Sequence, residues 1–453
     1  MQLSGETPAL ETFGYRQELK RSLSLFDLTV YGLVFINPIA PVAVFGFVFN
    51  ASHGMVPLVY IVGLVAMLFT AWSYMSMSQA FPFAGSVYAY AARSLGPLAG
   101  FFAGWAILLD YLLMPALFYV AGAIALHSAL PVIPQWIWIT AQILFATIVN
   151  YFGIETTARA NSVLFVIAMA VVITFIGSAV FGVVHHTGGA EFSIRPFFDG
   201  AHFTPGLIFS ALSLAVLSFL GFDAISTLSE ESRSGSRAIA RATMLSLCIA
   251  AALFVLQTWL VSLFVPGQAG FAPGAAANEA FYDIAAVIGG YWLKFLIAVP
   301  ATLFCNIGGA LSAQAATARL IYGMARDGRL PRMLAHVGDR RVPERAILLV
   351  GAVTLMIGLG TGGNLELLTS MVSFGALLGF LALHASVMAW FGWRSRSRNW
   401  LRHWIAPAIG FAIIAYVLWN AEGNAKIAGA VWLAAGVLVL LSLRLRGPAH
   451  SAT

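Results

Sequence analysis

The amino-acid sequence predicts an all-helical integral membrane protein with twelve membrane-spanning helices. Of its 453 residues, 60% are hydrophobic and only 9% are charged, whereas about a quarter of the residues in soluble domains are charged. A helix needs about 20 mostly apolar residues to cross the hydrocarbon core, where nothing else can hydrogen-bond its backbone. Nearly the whole chain divides into such segments, so no separate soluble domain is expected.

Twelve apolar segments follow one another, and each is interpreted as one membrane span. The predicted spans are 25–50, 57–80, 98–126, 134–150, 161–184, 206–230, 242–265, 280–312, 345–361, 365–391, 404–420 and 426–443. The expected organisation is an N-terminal tail (1–22), two five-helix halves (23–200 and 201–395), two further helices (396–446) and a C-terminal tail (447–453). The N-terminus lacks the apolar segment and cleavage site of a signal peptide.

The basic residues alternate between the two ends of the predicted spans. All but three of the 24 lysines and arginines fall at one end, and only Arg195, Lys294 and Lys426 fall at the other. Because cytoplasmic loops carry an excess of basic residues, both termini are predicted to be cytoplasmic, in a bacterial-type inner membrane. The same excess accounts for the net charge of +6 without a nucleic-acid partner. Cys248 and Cys305 lie inside apolar spans, so no disulfide is expected, and the oligomeric state stays open.

Two of the predicted spans contain residues that interrupt a helix. The first reads Phe35-Ile36-Asn37-Pro38-Ile39-Ala40-Pro41, and the sixth reads Phe219-Leu220-Gly221-Phe222-Asp223. Prolines remove backbone donors from the first, and a glycine beside a carboxylate is unfavourable at membrane depth in the sixth. Spans one and six occupy corresponding places in the two halves, and matching interruptions of this kind point to the central site of a transporter. The alternative is that Pro38 and Pro41 only kink a membrane helix.

Two acidic side chains lie well inside predicted spans, Asp110 in the third and Asp223 in the sixth. A carboxylate at this depth is costly and normally faces a cavity or a partner, and neither residue has a lysine or arginine near it in sequence. Each is therefore a candidate to hold a substrate ammonium group or to carry a proton. The alternative is a structural carboxylate that accepts hydrogen bonds from hydroxyls and backbone amides.

Aromatic residues accompany both acids. Tyr111 follows Asp110, and Phe219 and Phe222 flank Gly221. Aromatic faces attract ammonium groups, which favours a role in binding. The alternative is strong, because 13% of the chain is aromatic and most of these rings pack or face lipid.

Three further polar residues have less specific interpretations. His384 in the tenth span is either a proton relay or a hydrogen-bonded packing residue. Glu230 and Glu231 end the sixth span. We expect them to be gate or helix-end charges, paired with Arg233 or Arg237.

Enzyme motifs are absent from the sequence or lack their structural context. The chain has no paired-histidine zinc motif and no Gly-x-Ser-x-Gly, and its three lysines fit no phosphate-binding loop. Gly358, Gly360 and Gly363 spell Gly-x-Gly-x-x-Gly, but they close an apolar span with no strand before them. The sequence therefore predicts no catalytic residue, no cofactor and no metal site, with Ser312 as a weak candidate for a sodium ligand.

Short runs along almost the whole chain resemble the amino acid–polyamine–organocation superfamily of permeases. The matching runs are Ser22-Leu23-Ser24-Leu25, Phe81-Pro82-Phe83-Ala84-Gly85-Ser86, Gly104-Trp105, Leu108-Leu109-Asp110-Tyr111, Ser218-Phe219-Leu220-Gly221-Phe222-Asp223, Thr227-Leu228-Ser229-Glu230-Glu231 and Ala325-Arg326-Asp327-Gly328-Arg329-Leu330-Pro331. The last three are common across the superfamily. The run at 108–111 and the extended run at 218–224 are similar to the bacterial putrescine importers of the PuuP type.

The resemblance implies a LeuT-like fold, in which two inverted five-helix repeats are followed by two more helices. It also implies a substrate site at the breaks in spans one and six, facing spans three, eight and ten. On this chain the implied site comprises Asn37, Ile39, Ala40, Asp110, Tyr111, Phe219, Gly221, Phe222 and Asp223.

Two departures from the family pattern bear on the substrate. Amino acid members carry a Gly-x-Gly run whose amides hold the substrate carboxylate, whereas Pro38 and Pro41 have no amide hydrogen. This departure favours an amine over an α-carboxylate. The putrescine importers carry an aspartate after the break, whereas this chain has Ala43, which leaves Asp110 and Asp223 to neutralise a diamine.

The residues and the resemblance together predict a secondary active importer of a small amine such as putrescine, coupled to protons through Asp223 and Asp110. Sodium coupling stays open, because some members have a lysine in the fifth helix in place of sodium and this chain has Ala168 there. The alternative is an amino acid permease of the same superfamily. Three other classes of protein lack their expected signals in this sequence. A channel would show rings of like groups, a sensor would carry an added signalling domain, and an enzyme would carry catalytic motifs.

Overall fold

The computed structural model describes residues 18–82, 86–129, 132–272, 275–360, 365–419 and 423–445. Within these ranges the chain is built from helices, and extended pairing is limited to one bridge between Leu23 and Ser232. The predicted all-helical class is therefore confirmed for this part of the chain. Most of the predicted N-terminal tail, the C-terminal tail, residues 83–85 of the matching run at 81–86, and Gly363 lie outside the described residues.

The α-helices are numbered in chain order. They are α1 (Leu25–Ile36), α2 (Ala40–Ser52), α3 (Val56–Ala80), α4 (Ser86–Ser94), α5 (Pro97–Ala129), α6 (Gln135–Tyr151), α7 (Ile154–Val184), α8 (Pro205–Ala215), α9 (Gly235–Ser262), α10 (Ala275–Gly289), α11 (Tyr291–Leu296), α12 (Thr302–Arg326), α13 (Glu344–Gly360), α14 (Leu365–Val387), α15 (Ala406–Trp419) and α16 (Gly423–Leu445). Tighter 3₁₀ turns occupy Val216–Phe219 and Phe222–Glu231, and wider π turns occupy Ile297–Ala301, Met388–Arg394 and Leu401–Ile405.

Six helices in the described ranges are long and apolar enough to cross a membrane, and two bent helix pairs raise that number to eight. The six are Val56–Ala80, Pro97–Ile124, Ile154–Val184, Gly235–Ser262, Met371–Arg394 and Leu401–Trp419. The chain is thus a multi-pass membrane protein by length and composition, while the count of twelve spans and the inverted repeat stay predictions.

The predicted eighth span, 280–312, is wrong as a single helix. The structure divides it between α10 and a later segment that starts at α11, passes through the π turn and continues as α12 to Arg326. The division falls at Gly290, whose φ of 80° lies in the left-handed region that glycine adopts at little cost. Hydropathy misses this turn because the residues on both sides of it are apolar.

Both predicted helix breaks are present. α1 and α2 meet at 46°, and α8 meets the 216–231 segment at 55°. Asn37 ends α1 with φ of 69°, and Gly221 has φ of 117°. A Cβ on Gly221 would lie 3.0 Å from the Phe35 ring and 3.1 Å from the Ile36 nitrogen. The two breaks therefore touch each other, and the contact requires glycine.

The helices that carry the breaks lie inside a layer of longer helices. α1 packs against α9, α12 and the 222–231 turn, and α5 packs between α12 and α14. A Cβ on Gly375 of α14 would lie 2.8 Å from the Asp110 nitrogen of α5. This close approach brings the third and tenth predicted spans together at the depth of the acidic residues.

Candidate functional site

Asp223 lies at the start of the 222–231 turn and is 1% exposed. One carboxylate oxygen accepts the Gly221 N–H at 3.3 Å. The other accepts the Tyr111 hydroxyl at 2.6 Å and the Tyr74 hydroxyl at 3.5 Å, the limit of a hydrogen bond. The partial positive charge at a helix N-terminus adds to these donors. The backbone and two tyrosines therefore hold the Asp223 carboxylate in a fixed orientation.

Asp110 lies on α5, next to Tyr111, and is 3% exposed. Its Oδ1 atom is buried and has no hydrogen-bond partner among the described residues. The neighbouring Tyr111 donates to Asp223, which joins the two acids in one site. Within the described ranges no lysine or arginine forms an ion pair with either. The site therefore has two carboxyl groups and no fixed cation to balance them.

Three aromatic rings stand beside Asp223. Tyr74 lies edge-on to Phe222 at 6.0 Å and to Phe380 of α14 at 6.1 Å, and the Phe222 and Phe380 centroids are 5.9 Å apart. Ring faces attract ammonium groups most strongly where water is excluded. The combination of carboxylates and rings is suited to a compact organic cation.

α12 fixes the position of Tyr111. The Thr317 hydroxyl donates to the backbone oxygen of Tyr111 and, at 2.7 Å, to that of Ala313 in its own helix. This contact joins α12 to α5. The structure thus assembles the carboxyl groups from α5 and the 222–231 turn, with neighbouring side chains from α3, α12 and α14.

No backbone amide is free at the first break. Pro38 and Pro41 have no N–H, the Asn37 amide donates to Leu33 O at 3.1 Å, and the amides of Ile39 and Ala40 donate to Asn37 at 3.2 and 2.9 Å. A substrate carboxylate would therefore find no backbone donor between residues 37 and 41.

One backbone carbonyl at the first break accepts a hydrogen bond from another helix. Gln257 of α9 is buried and donates through Nε2 to the Pro38 carbonyl at 3.0 Å. A side chain of another helix therefore satisfies this carbonyl at the break.

Of the residues expected at the site, Asp110, Tyr111, Gly221, Phe222 and Asp223 lie together, whereas Phe219 does not. Phe219 packs on the Tyr60 ring at 5.8 Å and the Phe254 ring at 5.5 Å, so it contacts α3 and α9 rather than the carboxyl groups. Ala43, the position of the absent aspartate, is exposed.

Ser312 lies away from the carboxyl groups, against α1 and α7. Its hydroxyl accepts Asn161 Nδ2 at 2.9 Å, and its backbone oxygen accepts the Tyr31 hydroxyl at 2.5 Å. The fifth-span residue that faces it is therefore Asn161. Ala168, the position at which some family members carry a lysine, lies seven residues further along α7.

Glu230 and Glu231 form ion pairs with arginines of α12. Glu231 pairs with Arg319, and Glu230 pairs with Arg326 at 2.9 Å. Both glutamates are fully buried. The backbone oxygen of Glu231 also accepts the amides of residues 22 and 23 at 3.0 Å. These contacts close the arginine-rich end of the bundle.

His384 lies on α14 and packs against α3. Its ring nitrogens lie 3.2 Å from the Thr70 hydroxyl and 3.0 Å from the Ser73 hydroxyl. Both nitrogens are thus occupied by local partners, as expected for a packing residue.

An open cavity of about 430 Å³ lies at the other end of the bundle, between the end of α2, residues 191–202 and residues 262–269. His53 and His202 stack there at 5.4 Å. Hydrogen bonds from His202 and Arg195 hold the pKa of Asp199 below its usual range. None of the expected site residues lines this cavity.

Sequence reasoning missed Tyr74, Phe380 and Gln257. The two aromatic residues carried no signal, because rings are frequent throughout the apolar spans. Gln257 did carry one, since a glutamine inside an apolar span needs a buried partner.

Comparison with known proteins shows which proteins this chain is similar to. The sequence model of the family described as "Amino acid permease" matches residues 23–442. The chain is 33% identical to the low-affinity putrescine importer PlaP of Escherichia coli, over 94% of each chain. It is 25% identical to the branched-chain amino acid permease BcaP of Bacillus subtilis, over 93% of each chain. It is 28% identical to cationic amino acid transporter 4 of Mus musculus, over 84% of this chain and 61% of the relative.

Proposed function

Because this chain belongs to the amino acid permease family, we propose that it is a secondary active transporter that imports a small amine such as putrescine, coupled to protons. Membership of this family makes the chain a membrane transporter and not an enzyme. The observation that carries the choice of substrate is the pair of buried carboxyl groups, Asp110 and Asp223, which have no lysine or arginine partner among the described residues.

Charge balance supports a cationic substrate. An ammonium group that leaves water loses several kcal/mol of solvation even after relaxation, so each substrate charge needs a partner of opposite sign. Asp223 and Asp110 are suited to the two ends of a diamine, and the rings of Tyr74, Phe222 and Phe380 surround its ammonium group near Asp223. The resemblance to a putrescine importer agrees with this assignment.

The first break supports an amine over an α-amino acid. Every amide between residues 37 and 41 is absent or already donates a hydrogen bond. A bound carboxylate would stay without backbone donors and would lie near two acidic groups. That arrangement is unfavourable, because a buried anion needs compensating donors.

In this proposal Asp223 is the fixed substrate anchor, and Asp110 holds either the second substrate charge or the coupling proton. The Asp110 oxygen has no hydrogen-bond donor among the described residues, so a bound cation or a proton would compensate it. If Asp110 carries a proton during import, only one substrate charge is matched and a monoamine fits better. Sodium is the alternative coupling ion, and Ser312 together with the unpartnered Oδ1 of Asn161 would be its oxygen ligands.

The proposed architecture is LeuT-like, with twelve spans in two inverted five-helix halves (23–200 and 201–395) and two further helices within 396–446. Both termini lie in the cytoplasm. Alternating access takes place around the breaks at Asn37 and Gly221, where the helices already end. The buried ion pairs of Glu230 and Glu231 close the cytoplasmic side and must separate for release.

An amino acid permease is the second candidate function. It is favoured by the similarity to relatives described as a branched-chain amino acid permease and a cationic amino acid transporter. A cationic amino acid would use Asp223 for its side chain or amino group, and it would need donors for its carboxylate from outside residues 37–41.

Uptake into proteoliposomes tests the proposal. Purified protein is reconstituted, and labelled putrescine uptake is measured with an acid-outside pH gradient, with an inward sodium gradient, and with neither. We expect saturable uptake that the pH gradient drives. Uptake that requires sodium and ignores the pH gradient would contradict proton coupling, and the absence of any saturable amine uptake would contradict the substrate.

A further inference from the structure

The connection between α14 and α15 has an ordered, unusual backbone. It enters through the π turn Met388–Arg394 and leaves through the π turn Leu401–Ile405. π turns are rare and often occur at functional sites. The Phe391 and His403 rings stack at 4.4 Å, and Ser397 bonds the His403 ring nitrogen at 2.7 Å. Local contacts therefore hold this connection in one shape.

Four arginines lie on this connection, and residues 388–405 include no acid. They are Arg394, Arg396, Arg398 and Arg402. Among the described residues, no acidic side chain lies within ion-pair distance of any of them. The connection therefore carries a local excess of positive charge that the protein itself does not neutralise.

Two of the arginines are held in place by neighbouring helices. Arg394 donates to the Arg93 carbonyl at 2.8 Å. Arg402 lies 5.9 Å from the Trp72 ring of α3, and only its inner nitrogen, Nε, is buried without a partner, so its outer nitrogens stay accessible. Arg396 and Arg398 are exposed. The guanidinium groups of Arg396 and Arg398 and the outer nitrogens of Arg402 are thus accessible to an anion.

Large apolar side chains project from the same connection. Trp393 is 79% exposed, Trp400 is 66% exposed and Leu401 is 62% exposed. Exposed tryptophans are typical of the membrane–water interface, where the ring lies among headgroups and upper acyl chains. Uncompensated arginines beside exposed tryptophans match a ligand that has an anionic head and an apolar tail.

We propose that this connection binds the headgroup of an anionic phospholipid. The lipid phosphate accepts hydrogen bonds from Arg396, Arg398 and the outer nitrogens of Arg402, which suit phosphate oxygens geometrically. The acyl chains pass along Trp400 and Leu401 into the bilayer. A free phosphate would use the arginines but not the exposed apolar side chains. The inference goes beyond substrate transport and does not depend on which amine is carried.

Binding of a short-chain lipid to the purified full-length protein in detergent tests the proposal. The probe is dioctanoylphosphatidylglycerol, and its retention is counted by native mass spectrometry. The comparison ligands are dioctanoylphosphatidylcholine, which has a phosphate but no net charge, and inorganic phosphate. We expect dioctanoylphosphatidylglycerol to bind more tightly than dioctanoylphosphatidylcholine or inorganic phosphate. Equal binding of the choline lipid would overturn the anionic selectivity, and displacement by inorganic phosphate at similar concentration would overturn the lipid assignment.

The variant Arg396→Gln/Arg398→Gln locates the site. Each arginine near an anionic membrane surface contributes about fivefold to binding. Loss of two arginines should therefore lower the affinity for dioctanoylphosphatidylglycerol by roughly 25-fold. Both side chains are exposed, so the fold should be retained. The matched control is Arg332→Gln/Arg341→Gln, which removes two exposed charges elsewhere at the same end of the bundle. Unchanged binding in the first variant, or an equal loss in the control, would overturn the site.

Discussion

Asp110 and Asp223 are both buried, yet their surroundings differ in a way that separates their roles. Asp223 accepts hydrogen bonds from one backbone amide and two tyrosines. One oxygen of Asp110 has no donor in the described part of the chain. A satisfied carboxylate is a stable anchor, whereas an unsatisfied one gains most from a cation or a proton.

Substitution of the two acids should therefore give different results. Asp223→Asn removes the anchor and should abolish uptake of any cationic substrate, because the loss of one partner of a buried charge pair costs about 2–5 kcal/mol. Asp110→Asn should reduce uptake of diamines more than uptake of monoamines. Labelled amine uptake measures both. Normal putrescine uptake by both variants would show that the two-carboxylate site is wrong.

Gly221 allows the two helix breaks to meet, and its substitution is a second test at the residue scale. Gly221→Ala forces a Cβ into the left-handed region, at about 1–2 kcal/mol, and against the Phe35 ring and the Ile36 nitrogen. We expect lower thermal stability and loss of uptake. Gly177→Ala on α7 is the control, since no heavy atom lies within 4 Å of its added Cβ. Equal behaviour of the two variants would contradict the close contact.

At the scale of helices, the break between α1 and α2 depends on a residue from another helix. Gln257 of α9 donates to the Pro38 carbonyl at 3.0 Å. Without this donor the carbonyl would be buried and unpaired. Gln257→Leu should lower the free energy of unfolding by about 1–3 kcal/mol and slow uptake. The control is Thr258→Val, whose hydroxyl bonds only within its own helix. A loss in the control as large as in Gln257→Leu would remove the special role of the Pro38 contact.

The ion pair between Glu231 and Arg319 joins the end of the sixth predicted span to α12. Arg319→Gln leaves a buried glutamate without its partner, which costs about 3–5 kcal/mol. Glu231→Gln/Arg319→Gln removes both charges and should recover part of that loss. Thermal unfolding of the detergent-purified variants completes the cycle. Additive losses in the double variant would mean that the two side chains do not interact.

The helix breaks could be predicted because proline, glycine and a carboxylate act locally on the backbone. The ion pairs could not, since Glu231 and Arg319 are 88 residues apart and the nearer Arg233 and Arg237 looked like equal partners. The same limit applies to the contact between Asn161 and Ser312, which are 151 residues apart. Hydropathy also hid the turn at Gly290. Local chemistry is written in the sequence, whereas the partner of a side chain depends on how helices pack.

At the scale of the whole molecule, the sequence predicted membership of a permease family and an all-helical membrane chain, and both are confirmed. The described helices place the two acids, Tyr111 and the break at Gly221 together, as the resemblance implied. They place Phe219 elsewhere, because a ring in an apolar helix packs as readily on Tyr60 and Phe254 as on a substrate. The choice of substrate depends on the charges and hydrogen-bond donors around Asp110 and Asp223. A comparison of amines with the corresponding amino acids therefore tests it.

The most direct measurement is competition against labelled putrescine uptake by matched pairs that differ by one carboxylate. The pairs are putrescine with ornithine, cadaverine with lysine, and agmatine with arginine. Because residues 37–41 offer no free amide and two acids lie nearby, each amine should inhibit at a concentration at least about tenfold lower than its amino acid, a difference of about 1.4 kcal/mol. Amino acids that compete as well as the amines, or better, would contradict the account.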